Sequence, residues 1–555
     1  MKAPLALSLL FVANLTLLAA PGGSSEPLTQ FETQLIAATQ PVVAPQFNGP
    51  LIVGVRPGTP LVYALAVTGE APLTYAVRHL PDGLTLDPKT GVISGTLSAA
   101  GTYHFEATAK NGHGKASAKI TLVAGDTLAL TPPLGWNSYD AFGDSVTEAE
   151  TLANADWFKQ HLQPVGWDTV VIDFRWYDPQ PTGNDWLLNK TRVGAALAAD
   201  EYGRLLPAPN RFPSAANGGG FKALADRLHA QGLKFGIHVM RGIPRQAVLA
   251  KSPILGTSFT AADAADTGDK CSWCPDMFGV ISNAAGQAWY DSCAKLWSEW
   301  GVDFIKVDDL SQPYHTAEIE MVSRAIKQYG HSIVFSTSPG ETPVNQGAHI
   351  ASQANLWRIS GDFWDNWQKL DNQFKLFNRW HDIGGPGHWP DGDMIPLGHL
   401  SIRSGMGGKD HWTHFNRAEQ LTLMSLWALT PSPLILGMNL PDNDDWTTAL
   451  LTNPEVLAVN QDAAGHKAQR LDQVATTCEV WSKELADGSV AVGFFNRTKV
   501  LLTVQVPWSQ LGFEKAPHVR DLWLRKDLPR SNTLDATIPT HSAILLKVTK
   551  ARGWF

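Results

Sequence analysis

Residues Gly301 to Leu310, Gly-Val-Asp-Phe-Ile-Lys-Val-Asp-Asp-Leu, put a lysine and two aspartates at the end of an apolar run. Val302, Phe304, Ile305 and Val307 predict a short buried strand, so Lys306, Asp308 and Asp309 crowd its carboxyl end. In a barrel or an open α/β sheet that end carries the chemistry, because the strand-to-helix loops open there. A carboxylate so placed can act as nucleophile or base, and a lysine beside it can hold it ionised or bind a substrate hydroxyl. A charged loop after any α/β strand has the same look, so the rest of the chain must decide.

Acids recur where other candidate strands finish: Asp173 after Val170-Val171-Ile172, Asp362 after Trp357-Arg358-Ile359-Ser360-Gly361, and Asp391 and Asp393 in Gly387-His388-Trp389-Pro390-Asp391-Gly392-Asp393. Trp136, Tyr139, Trp176, Tyr177, Trp357 and Trp389 lie among them. Acids facing aromatic platforms, with no phosphate-binding glycine loop, point to a carbohydrate site that uses two carboxylates. Asp144, Asp365, Asp382, Asp444 and Asp445 read instead as helix caps. His411-Trp412-Thr413-His414 reads as a solvated loop, and no metal is expected.

The elements that must position these acids alternate between strand and helix from about 131 to 462, which predicts a (β/α)8 TIM barrel of α/β class, with a doubly wound sheet as the lesser alternative. The expected strands are 134–137, 169–174, 234–239, 304–307, 332–336, 356–359, an irregular one near 388–394, and 434–437. Before the barrel, residues 45–126 carry short alternating strands separated by turns such as Pro81-Asp82-Gly83, which predicts a β-sandwich. That segment resembles the immunoglobulin-like (Ig-like) modules attached to many bacterial surface and secreted enzymes. After the barrel, residues 466–550 return to strands and predict a C-terminal antiparallel β-sandwich.

The 555 residues are too many for one core, and a formal net charge of -8 without a long basic run argues against a nucleic-acid or anionic-membrane partner. Lys2, the apolar run Ala6 to Ala20 and the small residues that follow predict a signal peptide over 1–23, so the mature chain is expected to be secreted or periplasmic, without a membrane span. Residues 24–44 read as a linker. Export permits disulfides, and Cys271-Ser272-Trp273-Cys274 has the spacing of a local bridge.

Pro132 to Tyr139, Phe304 to Asp308, Trp357 to Asp362, Gly385 to Met394 and Asn453 to Asp462 resemble, in order, the signatures of glycoside hydrolase family 27, the α-galactosidase (melibiase) family. The resemblance implies a retaining glycosidase that needs no cofactor. By position, Asp308 matches the nucleophile and Asp362 the general acid/base. Lys306 and Arg358 match groups that bind sugar hydroxyls, and Asp173 matches an acid that holds the sugar. Trp136, Tyr139, Trp176, Asp391 and Asp393 complete the expected substrate-binding set. The activity implied is removal of terminal α-linked galactose from oligosaccharides or galactosides. The family also holds isomalto-dextranases and β-L-arabinopyranosidases. A carbohydrate-binding protein without turnover is the reading from another class, and a structural surface protein led by the N-terminal sandwich is a third.

Three positions depart from the α-galactosidase pattern and keep the sugar open. Phe174 stands where the second of two adjacent acids is usual, Tyr139 stands for Trp, and Ser336 to Glu341 lacks the Cys-Glu-Trp type of sequence. Losing an acid removes an acceptor for a sugar hydroxyl, and discrimination by such a contact can be large.

Overall fold

The computed structural model describes residues 27–40, 42–181, 196–404, 406–472, 474 and 478–550. The expected signal peptide lies outside the described residues. The central domain is built on eight short strands: β1 Leu134–Asn137, β2 Thr169–Ile172, β3 Lys234–Met240, β4 Phe304–Asp308, β5 Val334–Thr337, β6 Leu356–Arg358, β7 Trp389–Asp391 and β8 Leu434–Leu436. From β1 to β7 each pairs in parallel with the next, and β8 pairs with β1. Ile395, just past β7, makes a parallel bridge to Leu436 and closes the barrel. The helices that follow the strands include α1 Glu148–His161, α2 Lys222–His229, α3 Ala284–Glu299, α4 Thr316–Tyr329, α5 Gly347–Gln353, α6 Trp367–Arg379, α7 Arg417–Leu429 and α8 Pro454–Asn460.

Burial explains why the strands read as apolar runs rather than alternating ones. Residues of β1, β2 and β8 are buried on both faces, as expected for parallel strands covered by helices outside and by one another inside. In register, His238 of β3 lies beside Lys306 of β4, which lies beside Ser336 of β5. At the carboxyl rim Met240 pairs with Asp308, and Arg358 with Asp391.

The N-terminal module is a sandwich of a four-stranded and a three-stranded sheet, with Tyr63, Ile93, Phe105 and Leu122 in its core. It sits at the amino ends of the barrel strands. The Arg56 guanidinium donates to the Ile326 carbonyl at 2.8 Å and its N–H to Ser332 Oγ at 2.8 Å, and Asn48 donates to the Pro164 carbonyl at 3.0 Å.

The expected linker contains a helix, Gln30–Ala38. Thr29 and Glu32 form a reciprocal capping box at its start, Leu35 is fully buried, and Glu32 pairs with Arg417 at 3.1 Å. The Ser/Thr/Pro composition that suggested a linker belongs to its flanks. Of the acids expected to cap helices, Asp444 does so for Asp445–Thr452. Asp144 is instead sealed within 3.8 Å of Arg175, and Asn366 rather than Asp365 caps α6.

The C-terminal domain pairs a six-stranded sheet with a two-stranded antiparallel sheet, Leu502–Pro507 and Thr533–Ile538. Its barrel-facing sheet packs on α7, whose residues from Glu419 to Leu429 are all buried. Such a helix with no wet face has to be covered on every side. Trp523 Nε1 donates to Ser425 Oγ at 3.0 Å, and Lys483 Nζ donates to the carbonyls of Ala428 (3.2 Å) and Val459 (2.5 Å).

Candidate active site

The carboxyl ends of the strands and the loops beyond them enclose a blind pocket of about 230 Å³. The loop after β1 supplies Tyr139 and Asp140, the end of β2 supplies Asp173 and Phe174, and β4 supplies Lys306 and Asp308. Ser338 and Pro339 follow β5, Arg358, Asp362, Phe363 and Trp364 come from β6 and its loop, and Asp393 and Met394 follow β7. Trp273 and Met406 close the rim. The pocket has a depth order. The Asp173 side chain is 2% exposed, Asp308 13%, Lys306 15% and Asp362 49%. Asp173 therefore lies at the floor and Asp362 at the mouth.

The adjacent aspartates at the end of β4 part company. Asp308 faces the pocket: His238 Nε2 sits 2.9 Å from its Oδ2, and Ser338 Oγ donates to its Oδ1 at 3.1 Å. Asp309 takes a left-handed backbone (φ 64°) and turns to Arg241, 2.9 Å away. Burial alone would raise the Asp308 carboxyl, but the His238 hydrogen bond and charge, with Lys306, outweigh it and hold the group below the usual carboxylate range. Asp308 is thus kept as an anion in a site that excludes most water.

Asp173 accepts from Asn137 Nδ2 at 2.6 Å, from Lys306 Nζ at 3.1 Å and from the Phe174 N–H at 2.8 Å. Burial opposes its ionisation, yet Lys306, His238 and these donors hold it down to about 2. Lys306 is in turn raised above its ordinary value, because Asp173, Asp308 and Asp393 outweigh the desolvation of its ammonium. Arg358 forks between Asp393 (2.7 Å) and Asp362 (3.2 Å). Asp393 is pushed up to about 7, by burial first and by the nearby negative charges of Asp362 and Asp391, against the pull of Arg358. An ionised carboxylate deep in the pocket, with a second carboxylate at the mouth beside an arginine, can attack a sugar carbon and exchange a proton with the oxygen that leaves.

Of the residues singled out in the sequence, the structure brings Tyr139, Asp173, Lys306, Asp308, Arg358, Asp362 and Asp393 into this one pocket. It does not bring Trp136, Trp176 or Asp391 to its wall. Trp136 is fully buried and donates from Nε1 to the Met438 carbonyl at 2.7 Å. Trp176 donates to the His238 carbonyl at 2.6 Å and packs edge-on against Tyr177, Phe221 and Trp300. Both are core residues, because an indole with its N–H satisfied by backbone is a good filler between barrel and helices. Asp391 accepts the Asp393 N–H at 2.8 Å and so positions that residue from behind.

Sequence reasoning missed His238, Ser338, Asp140, Trp273, Phe363, Trp364, Met394 and Met406. Only His238 left a signal, as a polar residue inside an apolar strand. The spacing of Cys271 and Cys274 left open whether they are bridged; all four cysteines are free thiols, and the Cys274 N–H donates to Cys271 Sγ at 3.3 Å. The His411 to His414 loop is more ordered than a solvated one. Asp365 Oδ2 meets His411 Nε2 at 3.0 Å, His414 Nδ1 at 2.9 Å and the His414 N–H at 2.7 Å. Those three side chains could ligate a metal ion. A second such group, Asp269, His315 and Glu318, is already occupied by the Arg241 guanidinium, which donates to both acids.

Comparison with known proteins gives three family matches: alpha galactosidase A over residues 281–462, the alpha galactosidase C-terminal beta sandwich domain over 475–548, and an Ig domain over 41–125. A β-L-arabinopyranosidase of glycoside hydrolase family 27 from Geobacillus stearothermophilus is 45% identical, with a TM-score of 0.73 over 77% of this chain and 98% of that one. An alpha-galactosidase from Oryza sativa subsp. japonica is 28% identical over 76% of this chain and 85% of its own length. Alpha-galactosidase A from Cellvibrio japonicus is 27% identical over 76% and 93%.

Proposed function

This chain belongs to glycoside hydrolase family 27, and from that premise we propose that it is a retaining exo-glycosidase for terminal galacto-configured pyranosides that prefers β-L-arabinopyranosides to α-galactosides. Asp308 attacks the anomeric carbon and forms a glycosyl ester, while Asp362 gives its proton to the departing oxygen. Asp362 then takes a proton from water, which attacks the same carbon and frees Asp308. The blind floor and the exposed Asp362 fit a substrate that enters by its terminal ring with the leaving group outward.

Phe174 carries the choice of sugar. β-L-Arabinopyranose has the ring configuration of α-D-galactopyranose but lacks the hydroxymethyl group. Phe174 lines the pocket next to the floor acid Asp173, with its ring 5.5 Å from His238 and 5.8 Å from Trp273. An apolar ring where the α-galactosidase pattern has an acid removes an acceptor and takes up room, both of which penalise the extra hydroxymethyl group more than the shared hydroxyls. The 45% identity to a β-L-arabinopyranosidase supports the same choice. The α-galactosidase reading is favoured by the relatives of that name at 27–28% identity.

The test is kcat/KM on nitrophenyl β-L-arabinopyranoside and nitrophenyl α-galactoside for the wild type, Phe174→Ala and Asp308→Asn. The arabinoside should be preferred by the wild type, and opening the wall in Phe174→Ala should shift the ratio towards the galactoside roughly tenfold. Asp308→Asn should lose at least about a thousandfold on both. A wild type that prefers the galactoside would overturn the choice of sugar, and an active Asp308→Asn would overturn the mechanism. The basic, apolar and small-residue order of residues 1–23 supports export, which recovery of activity outside the cytoplasm checks.

A further inference from the structure

Asp140 follows Tyr139 on the loop after β1, is 4% exposed and lines the pocket. Its carboxyl group makes no hydrogen bond to any described residue, and its Oδ2 is sealed from solvent. That oxygen is lodged against Gly437, where a Cβ would stand 2.0 Å from it. The other four acids of the pocket all have partners: Asp173 has Lys306 and Asn137, Asp308 has His238 and Ser338, and Asp362 and Asp393 share Arg358. A buried carboxyl without a partner costs stability, so a chain gains nothing by keeping it for the fold alone.

Burial, with the negative charge of Asp393, raises the Asp140 carboxyl well above the usual range. With Oδ2 sealed against Gly437, the neutral acid meets the pocket through Oδ1, which can serve a hydroxyl as O–H donor or as carbonyl acceptor. Asp140 and Asp173 are both buried residues of the pocket wall, which places Asp140 towards the closed end and says which hydroxyl it meets. With the leaving group at the half-exposed Asp362, the buried end of the pocket faces the opposite edge of the terminal ring, the edge that carries the 4-hydroxyl.

We propose that Asp140 is a specificity-determining residue that hydrogen-bonds the 4-hydroxyl of the terminal sugar and so selects the galacto configuration at that carbon. The inference rests on the reading above, that the pocket takes a galacto-configured terminal pyranose.

Inhibition by free sugars isolates this contact, because L-arabinose and D-xylose differ only at C4, as do D-galactose and D-glucose. The experiment measures competitive inhibition constants for both pairs, kcat/KM on the better nitrophenyl glycoside, and Tm, for the wild type, Asp140→Ala and Asp140→Asn. In Asp140→Ala, kcat/KM should fall roughly 10- to 100-fold, and the preference for the galacto-configured member of each pair should shrink by a similar factor. Tm should hold or rise, since an unpaired buried carboxyl has been removed. Asp140→Asn keeps a donor and an acceptor in the same outline and should recover part of both losses; it also carries the test should the alanine variant not fold. An unchanged preference at C4, in an active and folded variant, overturns the proposal and leaves the reading of the pocket standing. A wild type that cleaves neither arabinoside nor galactoside overturns that reading first.

Discussion

At the scale of single residues the site is an arrangement of charge, and Lys306 is its hub. It touches Asp173 directly and raises the fraction of Asp308 that is ionised, so the two carboxylates depend on one ammonium. Both are depressed groups, so their ionised forms are populated above their lowered values and lost as pH falls through them. Replacing Lys306 by Met removes the cation without changing the stem. The acid limb of kcat/KM, which reports the free enzyme, should then move to higher pH, because one of the charges that lower Asp308 is gone. A pH profile whose acid limb stays in place would mean that His238 and Ser338 alone hold Asp308 ionised. The residues that matter here differ in how well the sequence exposed them. Asp308 and Asp362 stand in motifs at strand ends and were legible. His238 was not, because one histidine in an apolar strand looks like an ordinary core residue until its register beside Lys306 is known. Trp136 and Trp176 erred the other way. Their positions near strand ends suggested platforms, but only the fold shows that each indole points into packing rather than into the pocket.

At the scale of elements, the alternation of apolar runs and amphipathic stretches exposed the eight barrel strands, down to the irregular one around Trp389. It did not expose the helix Gln30–Ala38, although Thr29 and Glu32 stand three apart in the pattern of a capping box, because the helix is short and the Ser, Thr, Gln and Pro around it dominate the composition of the segment. The contact of α7 with the C-terminal sheet was equally hidden, since it depends on which face of each element is covered. Its most telling residue is Lys483, fully inside that contact and lowered by burial to about 7. Between that value and its ordinary 10.5 the unfolded chain carries a proton that the folded one does not. Folding stability from this position should therefore rise with pH across that window, by at most about 1.4 kcal/mol per pH unit. In Lys483→Met this component of the slope should vanish from denaturant titrations taken at pH 7, 8.5 and 10. A slope unchanged by the substitution would place the titration elsewhere.

At the scale of the whole molecule, the three β-rich and α/β layers divide the work by position. The pocket opens at the carboxyl ends of the barrel strands, whereas the Ig-like module is bonded to their amino ends through Arg56, Thr59 and Asn48. Among the described residues the module has no side chain in the lining of the pocket, and its contacts are with the supporting end of the barrel. Arg56 is the contact to test, because burial lowers its guanidinium and its partners are the carbonyls of Ile326 and His331 at the end of α4 and beyond. Arg56→Ala leaves two carbonyls to find water and should cost about 1–3 kcal/mol of stability, read as a lower Tm. It should leave kcat/KM on the preferred glycoside unchanged, since no group of the pocket moves with it. A loss of kcat/KM at full folding would show that the amino-end contact reaches through the barrel to the catalytic rim, and the separation of support from chemistry would have to be given up.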